Sequence, residues 1–330
     1  MIFLRDRLVL VTGAGGFIGS HLCEALVREG ASVRALVHYN ASGSCGALTQ
    51  LPSSTFEALE IVAGDVRDPA FMRDAVRGVD TLFHLAALGA IPYSFLSPRQ
   101  FMETNVGGTL SVLEAARDAG LRRVVHTSTS EVYGNARHTP MDEDHPQNAQ
   151  SPYAASKIGA DQLATSFYLS FDTPLVTVRP FNTYGPRQSA RAFVPAMLSQ
   201  LLTQDVVRTG DLDPVRDMNF VSDTVAGFIA AAGAEGVEGE VFHLGSGEGH
   251  SMRALLGEMR SIVGRECRIE FDAKRLRPCA SEVHNLVGSA AKARERFGWS
   301  PRVPLADGLR RTARWVEANP ALFRPEVYQW

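Results

Sequence analysis

The sequence predicts an α/β fold: a doubly wound parallel sheet with helices on both faces, and a smaller C-terminal lobe. Three observations carry that prediction. Short apolar runs alternate with amphipathic stretches up to Pro180, the pattern of strand–helix–strand units. A glycine-rich turn joins the first run to the first helix. Beyond Pro180 the alternation loosens, and prolines, arginines and turn residues become denser.

Leu8-Val-Leu-Val-Thr12 is an apolar run of the buried-strand kind. Gly13-Ala-Gly-Gly-Phe-Ile-Gly19 follows directly. The helix then runs to Glu29, with Leu22, Ala25 and Leu26 on its apolar side, and stops at Gly30. Glycines at 13, 16 and 19 permit a tight turn, close backbone approach to a pyrophosphate and close helix–strand packing. The helix start offers free N–H groups and a positive dipole to phosphates. This is the Rossmann-type arrangement, and it makes Gly13, Gly16, Phe17, Ile18 and Gly19 candidate cofactor contacts.

Further strands are expected at 32–37, 59–62, 80–84, 123–128, 174–179 and 241–244. Helices are expected near 17–29, 69–77, 101–119 and 153–170. The sheet domain is assigned to 1–181 and 220–247, and the capping lobe to 182–219 and 248–330. Active residues of such sheets gather at strand carboxyl ends, which singles out His84-Leu-Ala-Ala87 and Thr127 to Glu131. If the strand pleat continues, Thr129 and Glu131 point one way and Ser130 the other.

One expected feature is missing. A carboxylate about 20 residues past the glycine turn usually binds the adenosine ribose, yet no Asp or Glu lies between Glu29 and Glu57. The second strand runs into His38-Tyr-Asn40 instead. His38 and Asn40 suit a 2′-hydroxyl or a 2′-phosphate, which leaves NAD and NADP both open.

Tyr153 and Lys157 lie one helical turn apart. A free phenol, with a pKa of about 10, is a poor base near neutrality, and a nearby cation lowers that value. Lys157 is thus expected below Tyr153, beside the cofactor. The chain has only three lysines, which makes a chance match to this spacing uncommon. The bland reading is a surface lysine beside a core tyrosine.

Composition narrows the class. The chain has 330 residues and a net charge of −3, with arginines scattered rather than bunched, which gives no nucleic-acid footprint. Cys23, Cys45, Cys267 and Cys279 show no metal or redox spacing, so no metal is expected. Arg5, Asp6 and Arg7 interrupt the start, and no apolar run approaches a membrane span. A cytoplasmic setting without membrane association is the expectation.

With these motifs in view, the chain resembles the extended short-chain dehydrogenase/reductases that act on nucleotide sugars, over nearly its full length. Thr12 to Gly19 is similar to that family's cofactor loop, and Gly64-Asp65-Val66-Arg-Asp68 to its adenine-contacting turn. His84-Leu85-Ala86-Ala87 resembles the segment beside the cofactor phosphates and ribose, and Asn105 a structural asparagine. The resemblance adds Thr127 and Pro180 to the cofactor set. Arg179-Pro-Phe-Asn182-Thr-Tyr-Gly-Pro186 and Arg216 to Asp223 are similar to the substrate-side signatures. With Tyr93, Ser94, Arg191 and Arg277, they imply a nucleotide-diphosphate hexose substrate. Thr129-Ser130-Glu131-Val-Tyr-Gly134 is similar to the 4,6-dehydratase form, and the wider context most resembles nucleotide-linked N-acetylglucosamine 4,6-dehydratases of the legionaminic-acid type. Many glucose-type dehydratases carry Asp where this chain has Ser130.

The resemblance implies oxidation at C4 by tightly bound NAD or NADP, with NAD favoured. Tyr153 would take the hydroxyl proton, Thr129 would hydrogen-bond that oxygen, and Glu131 would remove the C5 proton. Water would then leave from C6, where the hydride returns. Glu131 has a bland reading as a capping carboxylate. The arginines, taken singly, are solvated charges, and His84 and His126 are structural. Phe101, Val106, Leu110 and Leu113 form an apolar stripe, as do Ile158, Leu163, Phe167 and Phe171. The family implies that these two helices pair in a homodimer. Rival functions are a nucleotide-sugar 4-epimerase, a nucleotide-uronate decarboxylase and, remotely, a non-catalytic cofactor-binding protein.

Overall fold

The computed structural model describes residues 3–328. Seven parallel strands form the central sheet: β1 (Leu8–Thr12), β2 (Ser32–His38), β3 (Leu59–Gly64), β4 (Thr81–His84), β5 (Arg123–Thr127), β6 (Leu175–Pro180) and β7 (Val241–Leu244). Their spatial order is β7-β6-β5-β4-β1-β2-β3. The order reverses between β1 and β4, and the crevice opens there at the strand carboxyl ends. All seven expected strands are present, and the fold class is the doubly wound α/β sheet.

Pleating sorts the side chains. Val9, Val11, Phe83 and Val125 pack on one face of the sheet, while Leu10, Leu82 and Val124 pack on the other. Helices α1 (Phe17–Arg28), α2 (Pro69–Ala75), α3 (Gly108–Asp118) and α4 (Pro152–Phe171) match the expected positions. The third is longer than its label. A turn at Pro98–Phe101 and a π-helical segment at Met102–Gly107 lead into α3. The π segment carries Asn105, whose amide bonds the backbone of Leu88 in both directions and the Ser156 hydroxyl. A further helix, α5 (Val221–Gly233), packs against β5 and β6. Its apolar residues surround the axis rather than forming a stripe, so periodicity alone does not reveal it.

Segments 182–219 and 248–328 contribute two small sheets instead of joining the main one. Asn182–Tyr184, Val215–Phe220, Gly249–Ser251 and Asn285–Leu286 form the first. Val206–Thr209 pairs with Arg268–Phe271 in the second. Helices Phe193–Thr203, Met252–Val263 and Leu305–Ala318 support them. No described helix is long and apolar enough to cross a membrane.

Candidate active site

A cavity of about 770 Å³ lies between the strand carboxyl ends and the C-terminal segments. At one end stands the glycine turn. Gly13 adopts φ +69°, and a Cβ there would meet the Ala86 backbone at 2.8 Å. A Cβ on Gly19 would lie 2.2 Å from the Gly13 carbonyl. These glycines let α1 seat directly on the turn after β1, and let that turn lie against the Leu85–Ala86 backbone that follows β4. No side chain caps α1 and no acid lies in its first turn, while Gly16, Phe17, Ile18 and Gly19 face the cavity. Its free N–H groups fit a pyrophosphate. Leu85, Ala87, Thr127 and Pro180 line the same space, and the buried Thr127 hydroxyl has no protein partner. These residues fit a dinucleotide.

Five expected cofactor contacts fall outside this lining. Asn40 spends its amide on its own loop, bonding the His38 and Ser44 carbonyls and the Ser44 amide. That closed loop carries Cys45–Ala47 onto the glycine turn, where the Ala47 amide bonds the Gly15 carbonyl at 2.8 Å. His38 ends β2 beside Asp65 rather than in the cavity. Asp65 is engaged by Arg67 at 2.6 Å, which holds its carboxyl below the usual range. It opens on a separate depression with Glu103 and Gly107. The Val66 side chain is core, packed under Gly108. Ala86 approaches through its backbone, its amide bonding the Thr12 hydroxyl.

The central wall holds the chemistry. β5 ends at Thr127, and a 3-10 turn spans Ser130–Tyr133. Thr129 caps it, accepting from the Glu131 amide at 3.2 Å. The pleat has therefore ended before Thr129. The turn still aims Thr129 and Glu131 into the cavity and buries Ser130 away from it. Ser130 is not brought to the reacting space, which corrects its expected catalytic place.

Tyr153 sits in the first turn of α4, whose start is capped by the Ser151 hydroxyl. Burial pushes its phenol up to about 12, opposed by a hydrogen bond with Thr129, while the Glu131 and Asp161 charges add to the rise. Lys157 follows one turn later on α4 and reaches the end of β5. Its ammonium donates to the Thr127 carbonyl at 2.6 Å. Burial lowers it to about 8, with the Asp161 charge opposing.

Arg216 and Arg277 stand across the cavity. Arg216 is 5 % exposed and lies 3.4 Å from Glu282. Arg277 lies 3.8 Å from the same carboxylate and 4.0 Å from Glu131. Arg191 reaches the cavity from an exposed position, with its Nε on the Ser189 hydroxyl. Asn182 also lines it, its buried Oδ1 without a protein partner. Tyr93 and Ser94 do not. The Tyr93 phenol donates to Gln100 at 3.0 Å, and the Ser94 hydroxyl to the Ile91 carbonyl at 2.7 Å. Their neighbours Ile91, Pro92, Phe95 and Leu96 form that wall instead. Sequence reasoning missed Glu282, which has no motif signal. It also missed Asp161, one turn past Lys157 on the same helix face.

The family model described as GDP-mannose 4,6 dehydratase matches residues 10–312. A dTDP-glucose 4,6-dehydratase of an Actinoplanes species is 33% identical over 325 residues, spanning 94% of this chain and 98% of its own. A UDP-glucose 4-epimerase of Mycolicibacterium smegmatis is 36% identical over 312 residues, spanning 93% and 97%. The crystal structure of a dTDP-glucose 4,6-dehydratase from Streptomyces venezuelae with NAD bound is similar at a TM-score of 0.85 and 32% identity, covering 96% of this chain and 99% of that one.

Proposed function

The chain belongs to the GDP-mannose 4,6-dehydratase family and is a nucleotide-sugar 4,6-dehydratase with an NAD-type cofactor; we propose that Thr129, Glu131, Tyr153 and Lys157 carry its chemistry. One observation supports this most: a base-capable carboxylate, Glu131, shares a cavity wall with the Thr129 and Tyr153 hydroxyl pair. An epimerase needs only the latter.

Held by the glycine turn, the α1 start, Leu85, Ala87 and Thr127, an NAD-type dinucleotide would supply hydride acceptance at C4 and hydride return at C6. Tyr153 takes the C4 hydroxyl proton, and Thr129 eases that by favouring the phenolate. Lys157 carries the positive charge of this end and holds the β5 terminus through Thr127. Glu131 takes the C5 proton, which the 4-ketone makes acidic. With Ser130 turned away, Glu131 passes that proton to the hydroxyl leaving C6 as water; when the hydride returns to C6, Glu131 delivers a solvent-derived proton to C5 and Tyr153 gives its own proton back to solvent, so the sum is the loss of one water. General acid–base assistance of this kind contributes roughly 10²–10⁴-fold. Arg216 and Arg277, with Arg191 at the rim, bind the substrate diphosphate, for which guanidinium geometry is suited.

Residues 1–181 and 220–247 serve as the dinucleotide domain, and 182–219 and 248–330 as the nucleotide-sugar lobe. NAD is preferred over NADP, since residues 38–46 contain no Arg or Lys to meet a 2′-phosphate. A homodimer through the π segment, α3 and α4 is supported by the exposure there of Met102, Leu110, Leu169 and Phe171. Four unpaired cysteines suit a reducing cytoplasm.

The test is the product mass after incubating the purified protein with UDP-, GDP-, CDP- and dTDP-hexoses. A dehydratase product is lighter by one water. An unchanged mass with altered C4 configuration supports an epimerase, and loss of CO2 a decarboxylase.

A further inference from the structure

We propose that Asp161 is a positioning residue for Lys157 and Glu131, clamping the end of β5 and the Glu131 turn against α4. The carboxylate is 3 % exposed and fully engaged. One oxygen pairs with His126 Nε2 at 3.0 Å. The other accepts from the Ser128 hydroxyl at 2.6 Å and from Arg179 at 2.9 and 3.2 Å. His126 and Ser128 flank Thr127, whose carbonyl takes the Lys157 ammonium. Two side chains one helical turn apart thus grip three consecutive residues, His126 to Ser128, across the end of β5.

The clamp extends further. Arg179 donates to the Tyr133 hydroxyl at 2.6 Å and lies 5.0 Å from that ring. Tyr133 closes the 3-10 turn that carries Glu131. One buried charge therefore ties Lys157, Thr129 and Glu131 into a single frame. Errors of about 1 Å in such frames cost on the order of 10²-fold in rate.

The charged and titratable neighbours are few. His84 on β4 and His126 on β5 face Lys157, and burial and its charge keep both below the ordinary histidine range. Arg179 on β6, His126, Tyr133, Lys157 and, through its charge, Tyr153 are the titratable groups that face Asp161. Burial depresses the ammonium to about 8, and Asp161 opposes that fall.

This proposal rests on the catalytic role assigned to Lys157 above, and its main readout needs no turnover. With three lysines in the chain, acetic anhydride labelling against pH, read by peptide mass spectrometry on the cofactor-free protein, reports the Lys157 ammonium alone. Asp161→Asn strands the Arg179 charge, so Asp161→Asn/Arg179→Met is made beside it. In either folded variant the labelling midpoint is expected to drop by about one pH unit. The reconstituted enzyme should lose about tenfold or more in kcat, with KM nearly kept and the basic limb moved down. An unchanged midpoint or an unchanged kcat overturns the proposal. Should neither variant fold, Ser128→Ala removes one bond and no charge. It is expected to lower kcat severalfold at a constant midpoint, and an undiminished kcat there overturns the proposal as well. Failure of the dehydratase reading would appear separately, as product of unchanged mass from the wild type.

Discussion

The two walls of the cavity are built differently. The sheet wall carries Thr127, Thr129, Tyr153 and Lys157 on the end of β5, the turn after it and α4, tied by bonds of 2.6 to 3.2 Å through Asp161, Asn105 and Lys157. The opposite wall carries Arg191, Arg277 and Glu282 on irregular segments, with Arg216 at a short strand. Its charge contacts run from 3.4 to 4.0 Å. Proton transfer needs atoms held within hydrogen-bond reach, whereas a charged group can recognise a diphosphate across a looser gap. The difference assigns rate to the sheet wall and affinity to the lobe wall.

The sharpest way to break that assignment is on the sheet wall. Tyr153→Phe should fold and bind cofactor, yet lose about 10²–10⁴-fold in kcat. Retention of a tenth or more of the wild-type rate would sink the role. Glu131→Gln keeps shape and removes the base. Oxidation at C4 should survive, so reduced nicotinamide should accumulate, visible in its near-ultraviolet absorbance, without water loss. Deuterium from solvent should no longer enter C5. Normal product release with deuterium at C5 would return the base role to another group.

On the lobe wall the effect should appear in KM. Removing a partner of a charge-assisted bond costs about 1.5–3 kcal/mol, so Arg216→Ala and Arg277→Ala should each raise KM by roughly 10- to 100-fold. Their kcat should stay within a few-fold, and steady-state kinetics separates the two. A kcat loss as large as that of Tyr153→Phe would erase the division between the walls.

The lysine supplies a pH test of the sheet wall. Activity requires its charge, so kcat should fall as pH rises through about 8. The stability contribution has the opposite sign. Between about 8 and the ordinary 10.5 the unfolded chain binds the extra proton, so the Lys157 contribution to stability grows with pH. Denaturant melts of wild type and Lys157→Met across this window should converge as pH rises.

What could be read from sequence follows the same division. The seven sheet strands and four helices were legible because apolar runs and a glycine turn are local signals. Tyr153 and Lys157 were legible for the same reason. The lobe was not, since its strands Asn182–Tyr184 and Asn285–Leu286 are only two or three residues long and pair across distant sequence. No spacing rule announces that Arg277 approaches Glu131, or that Glu282 stands between two arginines. Tyr93, Ser94 and Asn40 were misplaced because their polar groups are satisfied by near neighbours, a choice the backbone makes. Ser130 was misjudged once β5 gave way to a 3-10 turn.

The smallest expected effect makes the finest test, since it compares two arginines of one wall. Arg216 is buried, and burial pulls its guanidinium below the usual range while the Glu131 and Glu282 charges oppose the fall. Arg191 is exposed, and its side chain bonds the Ser189 hydroxyl. An exposed charge pair is worth about 0.2–1 kcal/mol and is screened by salt. Arg191→Ala should therefore raise KM only about two- to fivefold at low ionic strength. At high salt the difference from wild type should nearly vanish, whereas the Arg216→Ala defect should persist because that site is shielded from solvent ions. Titrating salt against KM for both variants reads the contrast directly. Equal salt sensitivity in the two would mean that burial does not set their shares, and that the loop around Arg191 closes over the diphosphate to make it the equal of Arg216.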